Sequence, residues 1–229
     1  MKRRDFLGAS LATTALGPFN GFGAAPSGAI DGSLPARALD GSDTLLRAKD
    51  VQALAASLYG NVVLPSAPDY DSARQVWNGI FDKRPALIAR CSGAADVMQA
   101  VNFAREHTLL TALRSGGHSY SGKSGCDGGI VIDLSPMRGV KVNPAAKTAR
   151  VAAGTLLGQL DHEAQTFGLV TPAGVISHTG AAGLTLGGGF GRLSRRFGLT
   201  CDNLLEADVV TADGRYIRAS DSENSDLFW

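Results

Sequence analysis

Fourteen of the chain's 29 glycines fall in two short windows, six between Gly116 and Gly129 and eight between Gly174 and Gly198. A residue without a Cβ tolerates positive φ and lets another backbone or a ligand approach to contact distance, at an entropic cost inside helices and strands. The windows are flanked by apolar runs rather than by Ser or Gln, so they do not read as flexible linkers. Positions 164–191 carry no Asp, Glu, Lys or Arg. Gly183-Leu184-Thr185-Leu186-Gly187 even fits the small-xxx-small pattern of packed membrane helices. Pro172, the repeated glycines and several Thr and Ser argue instead for a buried, irregular loop, and no membrane span is expected.

The 229 residues suffice for one to two domains and a real core. Lys+Arg 22 against Asp+Glu 21 leaves a net charge of +1, which gives no support to a nucleic-acid or anionic-membrane partner. Three scattered cysteines, Cys91, Cys126 and Cys201, are too few for a disulfide framework or a structural zinc site, and no metal site is expected.

Lys2-Arg3-Arg4-Asp5-Phe6-Leu7 followed by the small, apolar stretch Gly8 to Phe19 resembles a twin-arginine export signal over residues 1–24, with Ala24-Ala25 offering a peptidase small side chains. About a dozen apolar residues are too few to span a bilayer, which needs around 20. The expectation is a protein exported, to the periplasm or beyond, by the twin-arginine machinery.

Residues 25–80 form a weakly patterned leader with an Asp31-Gly32 turn and with Pro65 and Pro68 as breaks. From Pro85 the pattern sharpens. Ala86–Ala89 reads as a buried strand. Ser92 stands where a helix cap belongs, and Val97, Ala100, Val101 and Ala104 share one helical face. Leu109–Arg114, Gly129–Leu134 and Thr148–Ala153 read as further strands. A helix from about Thr155 to Phe167 ends at Gly168, a position suited to a left-handed residue. Ala207–Ala212 and Tyr216–Ala219 flank Asp213-Gly214 as a hairpin. The class is α+β, with the connections holding most of the glycine.

The first window contains a look-alike. Gly117-His118-Ser119-Tyr120-Ser121-Gly122-Lys123-Ser124 matches the phosphate-loop pattern G-x-x-x-x-G-K-[ST] after an apolar strand. That motif works only when a helix begins at its Lys-Ser end and presents its amides to the phosphates. Here Gly125, Gly128 and Gly129 follow and the chain enters a strand, so a phosphate-loop nucleotidase is a minor alternative. The second window fails the dinucleotide fingerprint, because Arg192 stands where the last glycine belongs.

Taken in order, three motifs point elsewhere: Arg114-Ser115-Gly116-Gly117-His118-Ser119-Tyr120 directly after a strand; Thr179-Gly180-x-x-Gly183-x-x-Leu186-Gly187-Gly188-Gly189-Phe190-Gly191; and Phe197-Gly198-Leu199-Thr200-Cys201-Asp202-Asn203. From about Pro85 to Trp229 this combination resembles the flavin-binding domain of the vanillyl-alcohol-oxidase family, in its berberine-bridge-enzyme-like and bacterial FAD-linked oxidase branch. The resemblance implies an FAD-binding PCMH-type fold of two subdomains over residues 81–229, incomplete at the C-terminus. It implies an FAD-linked oxidase or dehydrogenase that takes a hydride from an alcohol, sugar or related carbon of a small molecule and passes the electrons to dioxygen.

The residue types suit that chemistry. Ser115-Gly116-Gly117 can offer closely spaced amides to a pyrophosphate. In the family the histidine of the Arg-Ser-Gly-Gly-His motif bonds to the 8α-methyl carbon of FAD, and it maps to His118; a neutral imidazole is a competent nucleophile. The second window, with Gly174, Thr179, Gly180, Gly183, Leu186, Gly187, Gly188, Gly189 and Gly191, would lay backbone against the flavin. Asp202 opens the turn before a strand whose Val210 would lie by the adenine. Some members attach FAD a second time through a Cys at the position of Ile176, so the resemblance implies a single link here. His107, His162 and His178 have no comparable setting and read as surface or loop residues. The resemblance places the catalytic base and substrate contacts beyond Trp229, so no catalytic residue is assigned; the alternative is a fragment that binds FAD without turnover.

Overall fold

The computed structural model describes residues 25–229; the segment read as an export signal lies outside the described residues. The described chain opens with a hairpin of β1 (Ser33–Arg37) and β2 (Asp43–Arg47), then α1 (Ala48–Ser57), β3 (Asn61–Val63) and α2 (Tyr70–Arg74). The region of stronger pattern follows as β4 (Leu87–Arg90), α3 (Ala94–Glu106), β5 (Thr111–Arg114) and β6 (Ile130–Asp133). Beyond it lie the hairpin β7 (Val140–Asn143) and β8 (Thr148–Val151), the helix α4 (Leu157–Gln165), and two short helices in the second glycine window, α5 (Ala181–Leu186) and α6 (Ser194–Phe197). A last hairpin of β9 (Glu206–Val210) and β10 (Tyr216–Ser220) precedes α7 (Ser225–Phe228).

The central sheet runs β3-β4-β6-β5, with β3 antiparallel to β4 and both β4 and β5 parallel to β6. Period-2 alternation sends its side chains to two cores. Val62, Leu87, Ala89, Ile130 and Ile132 face α1 and α3, meeting Val51, Leu54, Ala55, Ala100 and Phe103. Val63, Ile88, Val131 and Ala112 face the other way, against Ala67, Tyr70 and Cys126. Leu87, Ile88, Ile130 and Ile132 are wholly buried, each contributing roughly 1.5–3 kcal/mol of hydrophobic stabilisation. Burial on both faces explains why β6 reads as an unbroken apolar run.

The strand, helix and strand expected over 86–114 form with boundaries shifted by a residue or two, and the hairpin expected at 207–219 forms as β9 and β10. Gly168, at φ +65, ends the turn after α4 as expected. Ser92 differs: its side chain does not cap α3, whose N-cap is Gly93. Asp96, the third residue of α3 and 3% exposed, instead reaches back outside the helix, accepting the backbone N–H groups of Ser92, Tyr59 and Gly60 at 2.8–2.9 Å. One carboxylate thereby fastens α3 to the chain entering β3. The weakly patterned stretch 25–80 supplies β1 to α2, and its Ala36, Leu46, Val51, Leu54, Leu58, Val62 and Leu64 share a core with Leu87 and Ile130. Phe167, expected as the last residue of the helix from Thr155, lies past the end of α4 and is 48% exposed.

Parallel neighbours need a crossover of a dozen or more residues, usually helical. Between β5 and β6 the crossover is the first glycine window itself, residues 115–129, without a helix. Lys83 holds it by donating from Nζ to the carbonyls of Gly122 and Gly125 at 3.0 and 3.1 Å. No helix starts at Lys123-Ser124, so the amides a phosphate loop requires are not assembled there. Among the described residues no helix is long and apolar enough to cross a membrane.

Candidate functional site

The two glycine windows meet at Gly116 and Gly180. A Cβ on Gly116 would lie 2.5 Å from both N and Cα of Gly180, and one on Gly180 would lie 2.5 Å from N of Gly116. Such a backbone-to-backbone approach admits no side chain on either partner. Around it, Ser115 Oγ donates to the Ala153 carbonyl at 2.5 Å, Leu157 N–H to Thr179 O at 2.9 Å and Ala181 N–H to Thr155 O at 2.9 Å. Leu156 and Gly180 form an isolated antiparallel bridge. The end of β5, the start of α4 and the start of α5 are thus bound into one junction.

His118 leaves this junction from Gly117, which takes φ +66. The imidazole is half-buried, and its Nε2 is buried without a hydrogen-bond partner. Burial, and then the nearby His178, hold its pKa below the ordinary value of 6.5, against a weaker opposing effect of its own backbone. Trp77 stacks on the ring with centroids 4.3 Å apart and planes at 14°, and His178 meets it at 5.0 Å and 45°. His178, expected as an unremarkable loop residue, therefore belongs to the cluster. Trp77, from the leader, was not expected there at all; a tryptophan in a polar, weakly patterned stretch is the only hint the sequence carries.

The remaining expected residues separate into groups. Arg114 points to protein rather than to the junction: its guanidinium donates to Ala73 O and its Nε lies 4.0 Å from Asp133 Oδ1. Ser119 Oγ accepts from Lys123 N–H at 3.0 Å, and Tyr120 is 84% exposed, its carbonyl bound by Asn78 Nδ2. Farther along, Leu184 fills the space left by two glycines, since a Cβ on Gly174 or on Gly189 would lie 2.6 Å from its methyl carbons. Gly191 passes Ala173 O so closely that a Cβ would overlap it, and the carbonyls of Gly188 and Gly189, both at positive φ, accept from Cys201 and Thr200. Asp202 accepts from Leu199 N–H at 2.7 Å. Gly183 has nothing within 4 Å of a Cβ, Gly187 has only ordinary contacts, and Leu186 is 84% exposed. Val210 is half-buried against the main core.

Burial pushes the Cys126 thiol up to about 11 and the Cys91 thiol up to about 12, so neither is a ready thiolate at neutral pH. Ile176, two residues before His178, is 44% exposed.

A site of paired glycine loops, close backbone and one unpartnered imidazole suits a large, flat, phosphate-bearing cofactor rather than a metal or a nucleoside triphosphate. The chain belongs to the FAD binding domain family, whose pattern matches residues 85–220. Over 173 residues it is 41% identical to (R)-6-hydroxynicotine oxidase of Paenarthrobacter nicotinovorans, an alignment covering 76% of this chain and 38% of that one. Among solved structures, 6-hydroxy-D-nicotine oxidase from Arthrobacter nicotinovorans superposes with a TM-score of 0.74 at 41% identity, covering 76% of this chain and 38% of that one. Carbohydrate oxidase from Microdochium nivale gives 0.73 at 32% identity, covering 79% and 39%. The chain spans about two fifths of the length of the relatives it matches.

Proposed function

We propose that this chain is the flavin-holding part of an exported FAD-dependent oxidoreductase acting on an alcohol, sugar or related CH–OH or CH carbon of a small molecule. The carrying observation is His118: a half-buried imidazole with an orphaned Nε2 at a junction where a Cβ on either Gly116 or Gly180 would collide with backbone. An orphaned polar atom costs free energy unless something is meant to meet it, and a dry nitrogen kept neutral is suited to bond formation. FAD, when bound, supplies a two-electron acceptor for the substrate hydride, with dioxygen as the proposed final acceptor. The chain's own residues do the holding. Ser115, Gly116 and Gly117 offer backbone amides, Gly183 and Gly187 offer backbone that no side chain covers, and His118 Nε2 provides the single covalent anchor on the 8α carbon. A relative named as an oxidase of 6-hydroxynicotine and one named as an oxidase of carbohydrates support a small-molecule donor. No group among the described residues is assigned as catalytic acid or base.

Denatured intact mass of the purified chain, with peptide mapping, tests the reading. A mass increase equal to FAD on the His118 peptide, absent in His118→Ala, is expected; an unmodified, folded chain refutes the covalent anchor. Arg3-Arg4 supports twin-arginine export, for which Arg3→Lys/Arg4→Lys should retain the chain in the cytoplasm; undiminished export would refute that route.

A further inference from the structure

Three rings from three separate segments converge at the junction: Trp77 from the loop after α2, His118 from the first window and His178 from the second. Trp77 lies nearly parallel to His118 at 4.3 Å, while His178 is tilted at 5.0 Å from His118 and 6.5 Å from Trp77. The Trp77 loop is lashed to the first window at two points. Trp77 N–H donates to Gly117 O at 3.0 Å and Asn78 Nδ2 to Tyr120 O at 2.9 Å, and next to them the Arg114 guanidinium ties the end of β5 to α2 at Ala73 O. Core packing does not account for this arrangement, because Trp77 is 54% exposed and His178 is also exposed. An indole left half in water yet tied by backbone bonds over one imidazole serves that imidazole.

We infer that Trp77 and His178 are positioning residues for His118, fixing the plane of its ring so that Nε2 stays unpartnered for attachment to the cofactor. The inference rests on the covalent reading above. Attachment joins Nε2 to the 8α carbon while one methyl C–H bond and the imidazole N–H bond break; the two hydrogens with their electrons end on dioxygen as hydrogen peroxide. A ring free to rotate would present its C–H edge for much of the time, and misalignment of a reacting atom by about 1 Å is enough to cost on the order of 100-fold in rate. His178 adds a second wall, and its nearness opposes protonation of the nucleophile.

The test uses the full chain prepared without FAD. On adding FAD, adduct growth is followed by mass, and non-covalent binding by flavin fluorescence in the His118→Ala background. Trp77→Ala should slow attachment by about 10- to 100-fold with non-covalent binding kept, Trp77→Phe should restore most of the rate, and His178→Ala should slow it less than Trp77→Ala. Attachment by Trp77→Ala at the unsubstituted rate, or a Trp77→Phe chain as slow as Trp77→Ala, overturns the inference. NMR of the histidine rings without FAD, with His118 assigned by its loss in His118→Gln, separates the two readings. If the unsubstituted chain forms no adduct, the covalent reading fails and the role in attachment falls with it. Positioning of the ring is then judged alone, holding if Trp77→Ala broadens the His118 signals while Trp77→Phe leaves them sharp, and failing if both variants leave them sharp.

Discussion

Gly116→Ala should loosen the whole chain by parting its two glycine windows. The new Cβ would sit 2.5 Å from Cα and N of Gly180 and 3.1 Å from Leu156 Cδ2, where ordinary contact begins at 3.4 Å. The shortfall is 3.4 − 2.5 = 0.9 Å against backbone, which has no rotamer to give way. Gly180 cannot retreat freely, because the Thr179 carbonyl and the Ala181 N–H on either side of it are engaged at 2.9 Å. Forcing a methyl into a packed site costs about 1–3 kcal/mol, and a strained junction bond adds about 0.5–1.5 kcal/mol. The lost flexibility of the unfolded chain returns about 0.4–1 kcal/mol. The net is about 0.5–4 kcal/mol, a fall of about 1–16 °C in Tm for a chain of this size. Gly183→Ala is the control: it lies inside α5 with nothing within 4 Å of the added carbon, and should stabilise by about 0.5–1 kcal/mol through helix propensity. Thermal unfolding by circular dichroism measures both. The Gly116→Ala/Gly180→Ala double variant should cost less than the sum of the singles, since one parting of the loops admits both methyls. A Gly116→Ala chain that melts with the unsubstituted one, or a Gly183→Ala chain that melts as low as Gly116→Ala, would refute the junction.

Asp96→Ala removes the acceptor of three backbone N–H groups at a site 3% exposed, so urea unfolding should register a loss of about 3 kcal/mol or more; Asp96→Asn, which keeps one carbonyl acceptor, should lose less. His118 predicts a pH dependence with a definite sign. Its folded-state pKa lies below 6.5 because burial and His178 disfavour the charge, so its contribution to stability is complete above 6.5 and lost as pH falls through the lowered value. His118→Gln should therefore be less acid-sensitive than the unsubstituted chain below pH 6.5, measured by Tm from pH 8 to pH 5; parallel curves would contradict the assignment.

The parts of this molecule that are local in the chain were legible without coordinates. Ile130-Val131-Ile132 is apolar at every position, Val97, Ala100 and Ala104 recur at helical spacing, and Gly168 stands where a helix must end: each signal is complete within one element. The leader was harder to read because β1 and β2 each bury a single residue, Ala36 and Leu46, so their alternation is faint even though that hairpin joins the main core. Ser92 misled for a related reason. A Ser before a helix suggests a cap, but no side chain caps α3, and the helix start is tied down by Asp96, whose partners Tyr59 and Gly60 are 37 and 36 residues distant.

The three glycine motifs, through their resemblance to a known flavin-binding family, pointed from the sequence alone to that family, to the flavin and to the histidine proposed to hold it, because such motifs are residue types at fixed spacing. Tertiary structure alone decided that Gly116 and Gly180 are in contact, that Arg114 turns to Asp133 and Ala73, and that Trp77 and His178 enclose His118. The reason is physical: a residue type records what its own backbone and side chain can tolerate, whereas contact between segments 40 or 60 positions apart is fixed only when the sheet and its helices have packed.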